Sequence, residues 1–302
     1  MENATDISHL RVVSQNPSIS AHEGMRHLAL VCLLATASYA DDTTLDVRAE
    51  LTAKGDPARL VMTSGGKSAG AKLEVGKQSF NLAKGELAGT LETGHGKTLV
   101  ALSLDDAKAP FRIYTYDGAT VSKPQLIARP AKQSNFPFAV VATRTPDGFT
   151  VFFQEVETAN PNEAHTFMVE VDRDGKAGEA KEVQIPWALA DVIWNGTGYH
   201  LALFYSGEQR GARLSMVTAS AAGVPSGHPD WATEPSAISD VHLVENDGKI
   251  TAIYRNLDHA NATDVTKIGQ WGQVTAKTKD LGALGNAYIA VNAKGQLVKV
   301  KR

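Results

Sequence analysis

The densest group of polar side chains in the sequence is the run from Arg255 to His259, which also contains Asn256 and Asp258. A histidine next to an aspartate can act as a general base that the carboxylate orients, or both can bind a metal ion. Such a pair without a third partner is also typical of a solvated loop tip. We therefore predict that these four residues bind a ligand, and we assign no catalytic residue and no metal ligand.

Acidic side chains are concentrated in the segment from Glu155 to His165, which also contains Glu157 and Glu163. Paired carboxylates can perform acid and base catalysis on a glycoside. We include Glu163 and His165 among the ligand-binding candidates, because loops carried on a rigid scaffold commonly hold binding sites. Arg210 belongs to the same set, since it lies in a polar segment at the corresponding place, residues 206–211.

Two tryptophans, Trp187 and Trp231, occur at similar places about one repeat apart, and Phe136 occurs at a similar place earlier in the chain. Aromatic rings at the mouth of a channel can stack on a sugar or grip a peptide. Large aromatic side chains are also common as packing residues between structural elements. Both interpretations stay open, and the two tryptophans complete the set of ligand-binding candidates.

The elements that would position these residues are short apolar strands separated by glycine turns, which is typical of an all-β protein. The stretch from Asp191 to Tyr205 is the clearest example, because its Asn195-Gly196 pair predicts a tight hairpin turn. The strand after this turn is apolar on both faces, and the strand after Gly148 has the same character. Strands of this kind are buried between two layers.

The turns recur with a period near 50 residues, in two interleaved series. One series of glycines, each followed at once by an apolar strand, predicts an inner hairpin: Gly96, Gly148, Gly198, Gly248 and Gly295. The other predicts an outer hairpin: Gly118, Gly175, Gly223 and Gly272. Two series with one period indicate four strands per repeat, as in the blades of a β-propeller. A β-sandwich with regular turns is the alternative, but it would show one polar face per strand.

Four full repeats are predicted, at about 88–128, 137–184, 189–236 and 239–281. We expect the C-terminal hairpin, within 284–302, to complete a blade whose outer strands are Ala71–Val75 and Gln78–Leu82, with Thr44–Thr63 as an extra hairpin. This arrangement gives five blades, and six is the alternative. We call the predicted binding face the loop face. It carries the loops between the second and third strands of each blade and the connections between blades. The predicted blade connections are residues 133–138, 186–188 and 225–236.

The segment Trp194-Asn-Gly-Thr-Gly-Tyr199, followed by Gly211-Ala-Arg213, resembles the repeat of secreted bacterial β-propeller proteins. In those repeats a W-N-G-x-x-Y hairpin precedes a G-x-R strand. The resemblance is clear over about residues 188–225 and fades in the other repeats. It implies the propeller fold and little about function, because most such proteins are uncharacterised.

Five-bladed propellers include glycosidases, and those enzymes take their carboxylates from the innermost strands. The innermost strands of this chain offer chiefly Asp191 and Asp240, with no acid at the matching place near Ala139. We therefore expect a non-catalytic protein, with a glycan-acting hydrolase as the alternative. If Asp191, Asp240 and the Glu155–Glu163 segment lie apart, the hydrolase hypothesis fails.

Residues 25–40 predict a secretory signal, with Arg26 before an apolar run and small residues ahead of a cleavage site near Ala40. Translation would then start at Met25, residues 1–24 would be absent from the mature protein, and the propeller domain would span 41–302; a buried N-terminal helix is the alternative. The run is too short for a permanent membrane span. The only cysteine, Cys32, lies in this signal, so the mature chain has no disulfide or thiol chemistry.

The chain has 302 residues and a formal net charge of −3, which argues against nucleic acid as a partner. No phosphate-binding loop, dinucleotide motif or calcium loop is present, so we expect no cofactor. The resulting hypothesis is an exported, non-catalytic propeller that recognises a protein, a peptide or a glycan through its loop face. A structural part of an envelope assembly is a third possibility.

Overall fold

Strands account for all the regular secondary structure that the computed structural model describes. The described residues are 43–52, 54–64, 69–85, 87–104, 106, 108–130, 135–157, 164–206, 212–231, 238–246, 249–256, 262–268, 279–283, 287–291 and 297–301. Within them, no helix is long and apolar enough to cross a membrane.

Twenty of the strands form five four-stranded antiparallel sheets, each built from four consecutive strands. Sheet 1 contains β1 (Thr43–Leu51), β2 (Pro57–Ser64), β3 (Gly70–Val75) and β4 (Gln78–Lys84). Sheet 2 contains β5 (Leu87–Gly94), β6 (Lys97–Leu104), β7 (Phe111–Tyr116) and β8 (Gln125–Ile127). Sheet 3 contains β9 (Asn135–Thr145), β10 (Gly148–Glu157), β11 (Ala164–Asp172) and β12 (Lys181–Val183). Sheet 4 contains β13 (Ala188–Trp194), β14 (Gly198–Ser206), β15 (Ala212–Ser220) and β16 (Pro225–Trp231). Sheet 5 contains β17 (Ile238–Asn246), β18 (Lys249–Asn256), β19 (Ala262–Ile268) and β20 (Lys279–Ala283).

The first strands of the sheets follow one another around a common centre. β1 contacts β5, β5 contacts β9, β9 contacts β13, and β13 contacts β17. Such a radial series of four-stranded sheets is a β-propeller. The predicted fold class is therefore confirmed, and the four predicted repeats correspond to sheets 2 to 5.

The predicted closure of the propeller is wrong. β1 and β2 are the first two strands of sheet 1, continuous with β3 and β4, and do not form an extra hairpin. The C-terminal strands β21 (Ala287–Val291) and β22 (Leu297–Lys301) form a separate two-stranded sheet, and β21 contacts β1. The described chain thus has five complete sheets and one additional hairpin beside the first.

The cores lie in the seams between neighbouring sheets. In sheet 3, Phe149, Val151 and Phe153 of β10 pack toward sheet 2, whereas Phe152 packs toward sheet 4. All four side chains are at most 1% exposed. The prediction that strands apolar on both faces are buried between layers is therefore confirmed, because each middle sheet has a neighbour on both sides.

The hairpin between β13 and β14 forms as predicted. The Asn195 side-chain oxygen accepts hydrogen bonds from the backbone N–H groups of Thr197 (3.0 Å) and Gly198 (2.9 Å), and Gly196 has a φ of +99°. Gly148 and Gly198 are required for a different reason, which is the space beside them. A Cβ atom at Gly148 would lie 2.0 Å from a carbonyl oxygen of the third strand, and one at Gly198 would lie 2.2 Å from such an oxygen. The glycine that begins each of these second strands therefore permits close pairing with the third.

Candidate functional site

The segment predicted as a loop from Glu155 to His165 is shorter than expected, because β10 continues to Glu157 and β11 begins at Ala164. Ser206 is likewise the last residue of β14. The second and third strands of sheets 2 to 5 are joined by residues 105–110, 158–163, 207–211 and 257–261. Four predicted ligand-binding residues, Glu163, Arg210, Asp258 and His259, lie outside the described residues.

Arg255 and Asn256 are strand residues, which corrects the expectation of a loop tip for this end of the cluster. They are the last two residues of β18. Their backbones pair with Ser239 and Ile238 on one side and with Thr263 and Ala262 on the other. The antiparallel ladder therefore holds the main chain up to the point where residues 257–261 begin.

The two tryptophans differ in their setting. Trp231 is the last residue of β16, with its backbone opposite Ser215, so the prediction that residues 225–236 form a blade connection is wrong for 225–231. Trp187 does lie in the connection between sheets 3 and 4, and its partly buried side chain packs against the apolar cluster of that seam. For Trp187, this contact matches the packing interpretation.

His165 has a carboxylate partner, although not one that the sequence suggested. Its Nδ1 atom lies 2.7 Å from Oε1 of Glu182, on the neighbouring outer strand β12. Its ring is nearly parallel to that of Phe167, at 6.3 Å between centroids. The His165 side chain is 28% exposed and that of Glu182 is 55% exposed. This pair lies on the outer half of the blade, away from the inner strands.

Glu155 is a strand residue of β10 with a fully buried side chain, and not the loop residue that the sequence suggested. Its Oε1 atom lies 2.9 Å from Nη1 of Arg129, whose side chain is 3% exposed. Arg129 also donates hydrogen bonds to Oγ of Ser103 (2.9 Å) and to the carbonyl oxygen of Leu104 (2.6 Å). The ion pair thus joins the loop-face ends of sheets 2 and 3.

The side chain of Gln154 connects sheet 3 to sheet 4 in a similar way. Its Nε2 atom donates to Oγ1 of Thr166 and to the carbonyl oxygen of Trp187, both at 2.9 Å. Its Oε1 atom accepts from the backbone N–H of Leu189 at 2.7 Å. A β-bulge between Gln154 and Glu155 separates the two residues, and their side chains reach toward opposite neighbours. Neither Gln154 nor Arg129 was identified from the sequence, because each acts through contacts with another sheet.

Asp191 is also fully buried, and its Oδ2 atom accepts a hydrogen bond from the backbone N–H of Leu243 at 2.6 Å. The contact crosses from the innermost strand of sheet 4 to that of sheet 5. The same kind of bond, from a backbone N–H of the next innermost strand to a side-chain oxygen, occurs at three earlier seams: Thr93 to Glu50 (2.5 Å), Arg144 to Glu92 (3.3 Å) and Trp194 to Thr143 (3.1 Å). These side chains stabilise the seams, because each satisfies a backbone donor of the neighbouring sheet.

Glu155 and Asp191 serve different seams, and no group of three or more histidine, cysteine or acidic residues that could hold a metal ion occurs among the described residues. The side chain of Asp240, at the bulge of β17 between Ser239 and His242, is not among those described. Of the acids named for the hydrolase hypothesis, Glu155 and Asp191 are thus engaged in structural contacts.

Neither a family model nor any curated protein matches the chain. Solved structures do match. An α-L-arabinofuranosidase from Clostridium thermocellum is 11% identical, with a TM-score of 0.51 over 82% of this chain and 97% of that one. A thermostable family-43 glycoside hydrolase is 8% identical, with a TM-score of 0.48 over 69% and 80% of the two chains. An α-L-arabinofuranosidase from Lactobacillus brevis is 10% identical, with a TM-score of 0.47 over 70% and 80%. At this level of identity the first of these likenesses shows the fold, a β-propeller, and no more.

Proposed function

We propose that the protein is exported and acts on a glycan, with hydrolysis of a glycosidic bond as its reaction. The observation that supports this proposal is the fold. The α-L-arabinofuranosidase with a TM-score of 0.51 is covered over 97% of its length, so the likeness extends through its whole propeller. The fold by itself does not determine an activity, which is why the proposal depends on the experiment below.

The carboxylates for such a reaction would come from acids other than Glu155 and Asp191. Asp240 of the innermost strand β17 is the first candidate, and Glu163 and Asp258 of the loop-face segments are the others. A glycoside hydrolase needs two carboxyl groups about 5–10 Å apart, one to protonate the leaving oxygen and one to act as nucleophile or base. We assign Glu155 to the seam instead, because Arg129 holds it in a buried ion pair.

A non-catalytic glycan-binding protein is the second candidate, and a specific observation favours it. Both described acids that the hydrolase hypothesis named, Glu155 and Asp191, are fully buried and bonded to neighbouring sheets. In this case the loop face would bind the glycan without cleaving it, through Arg255, Asn256, Asp258, His259, Trp187, Trp231, Arg210, Glu163 and His165.

The deciding experiment measures both turnover and binding. The chain from Asp41 onward is incubated with arabinan, xylan and cellulose, and released reducing sugar is quantified; the same polysaccharides are used in affinity gels. A hydrolase releases sugar, and Asp240→Asn lowers kcat by about 10²–10⁴-fold, the usual contribution of a positioned acid or base. Asp56→Asn is the matched control, an exposed acid in the turn between β1 and β2, away from the loop face.

Three outcomes separate the candidates. Sugar release that falls with Asp240→Asn but not with Asp56→Asn supports the hydrolase. Retardation in the gel without sugar release supports the binding protein. The absence of both on the whole panel contradicts the glycan proposal. Export is tested separately, because N-terminal sequencing of the secreted protein should begin at Asp41.

A further inference from the structure

A cleft of about 770 Å³ opens at the end of the propeller opposite the loop face, between sheets 3 and 4. This hairpin face carries the turns between the first and second and between the third and fourth strands of each sheet. The two turns of sheet 3 form one wall, with residues 145–149 and 170–178. Trp194, Gly196 and Tyr199 of the inner hairpin of sheet 4 form the other, and Ala221 of its outer turn closes one end.

The preceding seam, between sheets 2 and 3, is bridged by side chains at the corresponding place. Between sheets 2 and 3, Nζ of Lys97 crosses the gap and donates to the carbonyl oxygen of Arg173 at 2.8 Å. His95 Nε2 lies 2.8 Å from the carbonyl oxygen of Thr145 beside it. Lys97 is the first residue of the second strand of sheet 2, and the first residue of the second strand of sheet 3 is Gly148. Sheet 3 therefore has no side chain at the position from which Lys97 crosses the preceding seam.

The floor and one wall combine polar and aromatic groups in fixed positions. Oγ1 of Thr150 and the hydroxyl of Tyr199 lie 2.9 Å apart at the floor. Burial raises the pKa of Tyr199, so this hydroxyl stays protonated. Among the aromatic residues that line the cleft, Phe149 and Tyr199 are buried and Trp194 is partly exposed. The ring of Trp194 meets that of Tyr199 edge-on, with 5.1 Å between the ring centroids. Its backbone N–H donates to Thr143, which fixes the position of the tryptophan.

The rim carries an excess of negative charge. Asp147, Glu170 and Asp172 line the cleft together with the cation Lys176, and all four are exposed. Lys181 lies outside the lining, with its Nζ atom 3.8 Å from Oε2 of Glu170, so three carboxylates face two cations. An anionic ligand would face a net repulsion here, whereas exposed carboxylates are good acceptors for hydroxyl groups.

We infer that this cleft binds a short oligosaccharide without acidic groups, at a site separate from the loop face. A volume of about 770 Å³ lies within the usual range for small-molecule sites. The apolar face of a sugar ring can pack on Trp194 while its hydroxyls bond to the rim carboxylates. The choice of a glycan as the ligand class rests on the proposed function, whereas the location, the polarity and the sign of the charge come from the cleft itself.

The test uses the chain from Asp41 and measures calorimetric Kd values for arabino-, xylo- and cello-oligosaccharides, with an oligogalacturonate as the acidic probe. Ala221→Trp places a large side chain at the exposed end of the cleft. We expect it to weaken binding of the best neutral oligosaccharide at least tenfold. Ala119→Trp is the matched control, since Ala119 occupies an exposed position in the outer turn of sheet 2, and it should leave Kd unchanged.

A second variant protects the test against misfolding. Asp147→Asn changes only an exposed rim side chain, and it should weaken neutral-sugar binding while reducing the discrimination against oligogalacturonate. No binding of any neutral oligosaccharide, stronger binding of the acidic probe, or equal Kd values for wild type and Ala221→Trp would overturn the inference.

Failure of this inference can be told apart from failure of the proposed function. Binding at the cleft should persist in Asp240→Asn, and turnover of a short substrate should persist in Ala221→Trp. Binding that Ala221→Trp abolishes, in a protein without turnover, supports the cleft and contradicts the hydrolase. If the protein turns over substrate and Ala221→Trp leaves the Kd for oligosaccharides unchanged, the hydrolase proposal is supported and the binding site in the cleft is contradicted.

Discussion

Replacing Arg129 with methionine would remove the cation that faces Glu155 in the seam between sheets 2 and 3. The two side chains are 3% and 0% exposed, and their closest charged atoms are 2.9 Å apart. The guanidinium also lies over the ring of Phe111, 5.1 Å from its centroid. Methionine keeps much of the packing volume of arginine, so the variant reports mainly on charge and hydrogen bonding.

The expected effect is large, because the buried carboxylate loses the cation beside it. Breaking a buried ion pair by removing one partner costs about 3–5 kcal/mol, so the free energy of unfolding should fall by that amount. Removing both charges, in Arg129→Met with Glu155→Gln, should cost less than the sum of the two single changes. We expect a coupling energy of at least about 2 kcal/mol from this double-mutant cycle.

Urea denaturation followed by tryptophan fluorescence measures these free energies. The matched control is the exposed pair of Lys181 and Glu170, which are 3.8 Å apart with side chains 66% and 63% exposed. Lys181→Met should cost less than about 1 kcal/mol, since water already screens this pair. An Arg129→Met effect no larger than the control, or single effects that simply add, would refute the assignment of Arg129 and Glu155 as a seam-stabilising pair.

Three further predictions follow from the same seams and turns. Burial lowers the pKa of His200 below its ordinary value of 6.5, so the unfolded chain takes up the proton first as the pH falls. Stability present above about pH 6.5 should therefore be lost as the pH falls toward the folded pKa. The urea midpoint should drop more from about pH 7.5 to about pH 5 in wild type than in His200→Gln; equal drops would contradict this. Gly148→Ala should destabilise by more than about 3 kcal/mol or prevent folding, because its Cβ would lie 2.0 Å from a backbone oxygen. Gly96 has open space around the position that a Cβ atom would occupy and a φ of +75°, so Gly96→Ala should lower the free energy of unfolding by only about 1–2 kcal/mol. Similar urea midpoints for Gly148→Ala and Gly96→Ala would contradict this prediction. Asp191→Leu should cost about 1–3 kcal/mol by leaving a buried backbone N–H of β17 without its acceptor, whereas Asp191→Asn keeps an acceptor and should cost less; the reverse order would count against a seam role.

Much of the fold could be predicted from the sequence, because turns and strand patterns are local. The Asn195 turn is closed by contacts within three residues of Asn195, which are visible as Asn-Gly in the sequence. The 50-residue period also identified sheets 2 to 5 correctly. Closure could not be predicted in the same way, since β1 and β2 have the same strand pattern whether they extend sheet 1 or form a separate hairpin.

The candidate site was less predictable, because the same acidic residue can serve a seam or a ligand. Glu155 looked like a loop acid until its strand position and its contact with Arg129 were known. Trp231 looked like a residue of a blade connection because the short outer strand Pro225–Trp231 carries few strand-forming residues. The cleft on the hairpin face has no sequence signature of its own, since its walls come from two turns of sheet 3 and from the turns of sheet 4.

The sequence by itself determined that this chain is a repeated all-β protein with four strands per repeat, and it located most of the turns. Hydrogen bonds within a turn and the alternation of apolar residues along a strand depend on neighbours only a few positions apart. The tertiary structure decided how the ring of sheets closes, which acids stabilise seams, and where an unfilled seam leaves a cleft. Asp191 and its donor Leu243 are 52 positions apart and meet only because two sheets pack side by side. A side chain's role there depends on what the neighbouring sheet presents to it, and the local sequence does not contain that information.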